Sequence, residues 1–155
     1  MIRQVRNQPA DSPKTFSKSN TGPHLEKRAL LRILVADDHE SVRKGVCVIL
    51  GTRGDTEVCG EAANGREAID KAQELKPDLI ILDITMPVLN GIDAAEVLRK
   101  TMPHVPILFL SMHQGRQIIA EAKRIGVRAY VKKSDAAATL LNAVDAILRN
   151  EPFFP

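Results

Sequence analysis

Aromatic residues are scarce in this chain: tryptophan is absent, tyrosine occurs once and phenylalanine four times in 155 residues. That leaves little with which to stack a flat aromatic cofactor. Cysteine is nearly missing too, and Cys47 and Cys59 stand outside any CxxC or metal-ligand spacing. A disulfide framework is therefore excluded, and both thiols are expected to be reduced core residues, as suits a cytosolic protein. No run approaches the roughly 20 apolar residues of a membrane span, and the first residues lack the apolar segment of a secretory signal. A strong net charge is lacking as well. The formal value is +3, and residues 1–30 carry six basic against two acidic groups, which leaves sixteen basic against seventeen acidic groups for the rest. The basic balance belongs to the leading segment, and the remainder has no electrostatic footprint of a nucleic-acid binder.

What is present suffices for one domain with a proper core, since 44% of the residues are hydrophobic. Residues 1–29 are rich in Asn, Ser, Pro, Gln and Lys without apolar periodicity, and are read as a disordered basic extension. A transit peptide or a misassigned start codon would give a similar composition. Residues 30–150 form the predicted domain, and 151–155 the start of a linker or tail.

From Leu31 onward short apolar runs alternate with helical periodicity. Strands are predicted at LRILVA (31–36), EVCGEA (57–62), LIIL (79–82), ILFLSM (107–112) and AYVK (129–132). Each is followed by apolar positions at helical spacing, for example Ala68, Ile69, Ala72 and Leu75 after the second, and Leu140, Leu141, Val144, Ile147 and Leu148 after the fifth. Five strand-helix pairs in strict alternation imply right-handed crossovers onto one parallel sheet, an α/β doubly wound three-layer sandwich of flavodoxin-like type. The 2-1-3-4-5 strand order, common among five-stranded sheets of this kind, puts the ligand crevice between the ends of strands one and three.

Those ends carry acids: Asp37 and Asp38 follow strand one, and Asp83 follows strand three. Alone, each reads blandly as a helix cap or a strand terminator. Together they form a cluster whose members raise one another's pKa unless a cation shares it. A hard divalent ion with oxygen ligands, Mg²⁺ in particular, resolves the conflict, and no soft ligand nearby argues for zinc. Ser111 ends strand four and Lys132-Lys133 end strand five, which brings a hydroxyl and an ammonium to the same edge. A carboxylate nucleophile, a metal, a hydroxyl and a fixed cation are what a phosphoryl acceptor needs. Pro87 and Gly91 need no chemistry, because one stiffens the loop and the other permits tight entry to the next helix. His39, His104 and His113 share no ligand spacing and are read as surface residues. His113, two positions beyond Ser111, would sit where it tunes access of donor or water.

In combination these motifs resemble the receiver domains of response regulators in two-component signalling. The resemblance rests on the acidic pair after strand one, D-x-x-M-P-x-x-N-G at 83–91, Ser111, and Tyr-x-x-Lys at 130–133, and covers about residues 31–150. It implies that Asp83 is the phosphorylated aspartate, Asp38 a direct metal ligand, Asp37 a ligand mainly through water, and Thr85 a ligand through its carbonyl. It further implies that Ser111 and Tyr130 are the switch pair and that Lys133, rather than Lys132, pairs with the phosphate. The expected function is that of a phosphoacceptor rather than an enzyme, cytoplasmic, served by a sensor histidine kinase or phosphotransfer protein, with a partner-binding or homodimerising surface. Ser134 stands where many receivers have a proline, and LRNEPFFP resembles the exit of receivers that precede a LuxR-type helix-turn-helix. The DNA-binding half would lie beyond it, so this fragment itself is expected to bind no nucleic acid and no membrane. Two enzyme-class alternatives fit less well. The ADDHE loop would repel a flavin phosphate, and an aspartyl phosphatase of dehalogenase type would want an acid where Thr85 stands.

Overall fold

A computed structural model describes residues 29–155. The expected extension at 1–29 lies, but for its last residue, outside the described residues. Five strands and five helices alternate: β1 (Leu31–Ala36), α1 (Glu40–Gly51), β2 (Thr56–Ala62), α2 (Gly65–Leu75), β3 (Leu79–Asp83), α3 (Gly91–Thr101), β4 (Ile107–Ser111), α4 (Arg116–Ile125), β5 (Ala129–Lys132) and α5 (Ala136–Leu148). The sheet is parallel throughout, in the order β2-β1-β3-β4-β5. This is the expected doubly wound arrangement, with β1 and β3 adjacent.

Every residue of β3 and β4 is buried, as befits central parallel strands covered on both faces. Alternate side chains serve two cores. Ile33, Val35, Leu79, Ile81, Leu108, Leu110 and Val131 meet α1 and α5, while Leu34, Ala36, Ile80, Leu82, Phe109 and Tyr130 meet α2, α3 and α4. Alanines on the inner helix faces, among them Ala68, Ala72, Ala94, Ala95 and Ala143, let the backbones approach the sheet closely. Asn64 and Asn90 start α2 and α3 by accepting the amides of Glu67 at 2.8 Å and Asp93 at 2.9 Å, which satisfies donors that a helix start otherwise leaves unpaired.

One expectation needs correction. Cys47 and Cys59 are free thiols but only half-buried, so they are not core residues. Cys59 falls in an irregularity of the β1-β2 ladder, where Ile33 pairs with Val58 but Leu34 pairs with Gly60, and the extra residue is left without a place in the inward alternation. Residues 151–155, expected to start a linker or tail, run back against the sheet. Asn150 takes a left-handed conformation (φ 60°) that turns the chain back. Phe153 then pairs with the free edge of β5: its amide donates to the Arg128 carbonyl at 3.0 Å, and its carbonyl accepts the Tyr130 amide at 2.8 Å. Phe154 packs against the α2-α3-α4 core with Lys123 Nζ 5.0 Å from its ring centre. Phe154→Ala should therefore lower the unfolding free energy by about 1–2 kcal/mol, less than a fully buried Phe would cost. Urea denaturation checks this, and an unchanged midpoint would mean that the segment contributes nothing to the fold.

Candidate functional site

The carboxyl ends of β1, β3, β4 and β5 meet at one edge of the sheet because parallel strands of similar length begin and end together. Asp83 is the last residue of β3 and Ser111 the last of β4, while Asp37 directly follows β1. All three are buried polar residues, at 3%, 0% and 1% exposure, which is unusual for groups that prefer water. Lys133, in the 3-10 turn Lys133–Asp135 that follows β5, reaches back over them. Its ammonium stands 2.7 Å from Asp37 Oδ2 and donates to Asp83 Oδ2 at 3.1 Å. The structure thus brings Lys133, not Lys132, to the acids: Lys132 is the last residue of the strand, and the turn carries its neighbour inward. The peptide bond before Ser134 is trans, as are all others among the described residues.

Burial and the neighbouring charge of Asp37 push the Asp83 carboxyl above its ordinary range, with Lys133 opposing. Burial acts to lower the Lys133 pKa, but its bonds to Asp37 and Asp83 outweigh that, and the net shift is upward. The Lys133 ammonium and the Asp83 carboxylate each favour the charged form of the other. Arg43 holds the end of β1 in place by donating to the Asp37 carbonyl at 2.7 Å and to Glu61 Oε1 at 2.8 Å. The amide of Thr85 donates to Asp83 Oδ1 at 3.3 Å.

Behind the acids, Ser111 Oγ accepts the amide of His113 at 3.0 Å. Tyr130 is fully buried, edge-on to Phe109, and its hydroxyl donates to the His113 carbonyl at 2.7 Å. The β4-α4 loop is thereby tied to both residues of the expected switch pair. A cleft of about 130 Å³ opens above the acids, lined by Asp38, His39, Asp83, Thr85, Met112, His113 and Lys133.

His39 is at the surface, as expected. Its side chain is 62% exposed, yet Nδ1 stands 3.1 Å from Asp38 Oδ1 and 3.3 Å from Asp37 Oδ1. Its adjacency to the acid pair was the one signal available for that contact. Ligand atoms of Asp37, Asp38 and His39 lie within 4.8 Å of one another; Asp83 is outside that group, with Lys133 between it and Asp37. Asp37 Oδ2 is buried without an aligned hydrogen bond, its neighbour being the Lys133 ammonium. A donor set of one buried and one part-exposed carboxylate, held close together, fits a divalent cation.

Among the described residues no helix is long and apolar enough to cross a membrane. A family model described as the response regulator receiver domain matches residues 33–145. The response regulator protein VraR of Staphylococcus aureus is 39% identical over 124 residues, covering 80% of this chain and 59% of VraR. The chain thus spans about three fifths of the length of that curated relative. Among solved structures, a LuxR-family two-component response regulator from Aurantimonas superposes with a TM-score of 0.77 at 34% identity, covering 81% of this chain and 89% of that one. The signal receiver domain of the putative response regulator NarL from Mycobacterium tuberculosis gives 0.75 at 27% identity, covering 80% and 100%.

Proposed function

Because the chain belongs to the response regulator receiver domain family, we propose that it is the phosphoacceptor of a two-component phosphorelay, with Asp83 receiving the phosphoryl group. The observation that carries this reading is the Asp83 carboxylate, buried at the end of a rigid strand and bridged through Lys133 to Asp37. Asp83 Oδ attacks the phosphorus of a phosphohistidine on a sensor kinase or phosphotransfer protein; the new O–P bond forms as the P–N bond breaks, and the imidazole leaves. Lys133 then exchanges its contact with Asp83 for one with a phosphoryl oxygen, and the Ser111 hydroxyl donates to another. Asp38, Asp37, Asp83 and the carbonyl of Thr85 would hold Mg²⁺, which when bound supplies positive charge for the phosphoryl oxygens and relieves the repulsion among the acids.

The output follows from the tie between site and loop. If Ser111 turns its hydroxyl to the phosphoryl group, it gives up the His113 amide. The β4-α4 loop, held also by the Tyr130 hydroxyl, is then released to repack. The face of α4, β5 and α5 thereby shifts toward a partner-binding or homodimerising state. The domain assists its own phosphorylation and dephosphorylation but turns over no separate substrate, and it works in the cytoplasm. Joined to an output domain, as in LuxR-family regulators, it would regulate transcription, the receiver itself touching no nucleic acid.

Incubation with Mg²⁺ and acetyl phosphate should add the mass of one phosphoryl group, and Asp83→Asn should lose that gain entirely. Undiminished uptake by the variant would move the acceptor elsewhere and overturn the assignment.

A further inference from the structure

His39 occupies the residue that opens α1, a position at which Ser, Thr, Asp or Asn would bond the helix's first amides. It makes no such side-chain bond. Its ring turns instead to the acids, with Nδ1 3.1 Å from Asp38 Oδ1 and 3.3 Å from Asp37 Oδ1, on the rim of the cleft that also contains Asp83 and Thr85. Donor atoms that lie within 4.8 Å of one another need close in by only a few tenths of an ångström to share a single cation, since two bonds of roughly 2.0–2.2 Å span at most about 4.4 Å. One of the acids, Asp37, is almost wholly buried and carries an oxygen without an aligned hydrogen bond; the Lys133 ammonium lies 2.7 Å from that oxygen.

We infer that His39 Nδ1 is a ligand of the divalent cation in this pocket and gives it a preference for first-row transition metals such as Mn²⁺, Co²⁺ or Ni²⁺ over Mg²⁺. This deepens the phosphoacceptor reading and rests on it for the presence of a cation site. An all-oxygen set suits Mg²⁺, whereas an imidazole nitrogen adds affinity along the transition series and little for Mg²⁺, which keeps its waters. Ligation requires the Nδ1 lone pair to face the ion, with the proton of the neutral ring on Nε2. His113 lines the opposite side of the cleft, but its imidazole makes no recorded contact with the acids; the distinction between the two histidines is therefore testable.

The probes are Co²⁺ and Mg²⁺ alone, titrated calorimetrically into the full chain, with the visible Co²⁺ spectrum as a second readout. His39→Asn should weaken Co²⁺ by about tenfold or more and shift its absorption bands, while Mg²⁺ affinity stays within about twofold and His113→Asn changes neither. His39→Gln serves as a second variant should Asn alter the start of α1. Equal Co²⁺ affinity in wild type and both His39 variants, a parallel loss of both metals, or a loss that follows His113 instead would each overturn the inference while leaving the phosphoacceptor reading intact. Failure of the wild type to bind either ion would remove the cation site itself, and with it both proposals.

Discussion

Lys133→Met is expected to lower the unfolding free energy by about 2–4 kcal/mol at neutral pH without divalent cations, somewhat below the usual cost of orphaning a fully buried charge because the Lys133 side chain is 14% exposed. Among the described residues its ammonium is the one Lys or Arg group against Asp37 and Asp83, which are 2% and 4% exposed at their side chains. Without it, burial and mutual repulsion act on the two carboxylates against only the Thr85 amide at Asp83 and the His39 amide at Asp37. The sign of the pH dependence follows from the shifts. The Asp83 pKa is already raised, by burial first and the Asp37 charge second, and loses its counterweight in the variant. A carboxyl with a raised folded pKa holds its proton better folded than unfolded, so stability falls as pH climbs from the ordinary carboxylate range through the raised value. Acidification should therefore shrink the deficit of the variant. Lys133 is raised too, so its own stabilisation is complete below the ordinary lysine pKa and is lost as pH rises through the folded value, an alkaline loss the variant no longer has. Millimolar Mg²⁺ should also restore part of the deficit by binding the folded state alone. Denaturant melts at mildly acidic and neutral pH, with and without Mg²⁺, decide the matter. A deficit constant across all four conditions would show that Lys133 acts through packing rather than charge.

Gly91→Ala should be at least as damaging, costing about 3 kcal/mol or more. The first residue of α3 lies so close to the end of β3 that a Cβ there would come within 1.9 Å of the Asp83 carbonyl oxygen and 2.8 Å of Ile84 Cα. Both obstacles are backbone, and the Gly91 amide is already bonded to the Ile84 carbonyl at 2.7 Å. The strand end or the helix start must move, and either displaces the Asp83 carboxylate, the proposed acceptor, so phosphoryl uptake should fall along with stability. Gly45 in α1 provides the contrast: a Cβ meets nothing within 4 Å there, and Gly45→Ala should stabilise by about 0.5–1 kcal/mol. Equal denaturation midpoints for Gly91→Ala and wild type would refute the close-approach argument.

Much of this site was legible beforehand because its residues end strands. An apolar run that stops at Asp83, Ser111 or the Asp37-Asp38 pair announces a sheet edge, and the Tyr-x-x-Lys spacing favours Lys133 over Lys132. Boundaries departed by a residue, as where β4 ends at Ser111 rather than Met112, because a ladder's last hydrogen bond depends on its neighbour. Cys59 was misjudged for a related reason. A bulge between two strands is a property of their register, which neither strand's own alternation contains.

By itself, then, the sequence determined the number and kind of elements, the two faces of each strand and which chemical groups stand at the strand ends. Periodicity and chain breakers act over a few residues, and those are local matters. Only the tertiary structure decided which ends become neighbours, that one ammonium bridges Asp37 and Asp83, that His39 turns to the acids instead of capping its helix, and that Phe153 closes the edge of β5. Each joins groups whose separation depends on how the layers pack, and contacts at a few ångströms between residues up to 96 positions apart are set by that packing rather than by any stretch of chain.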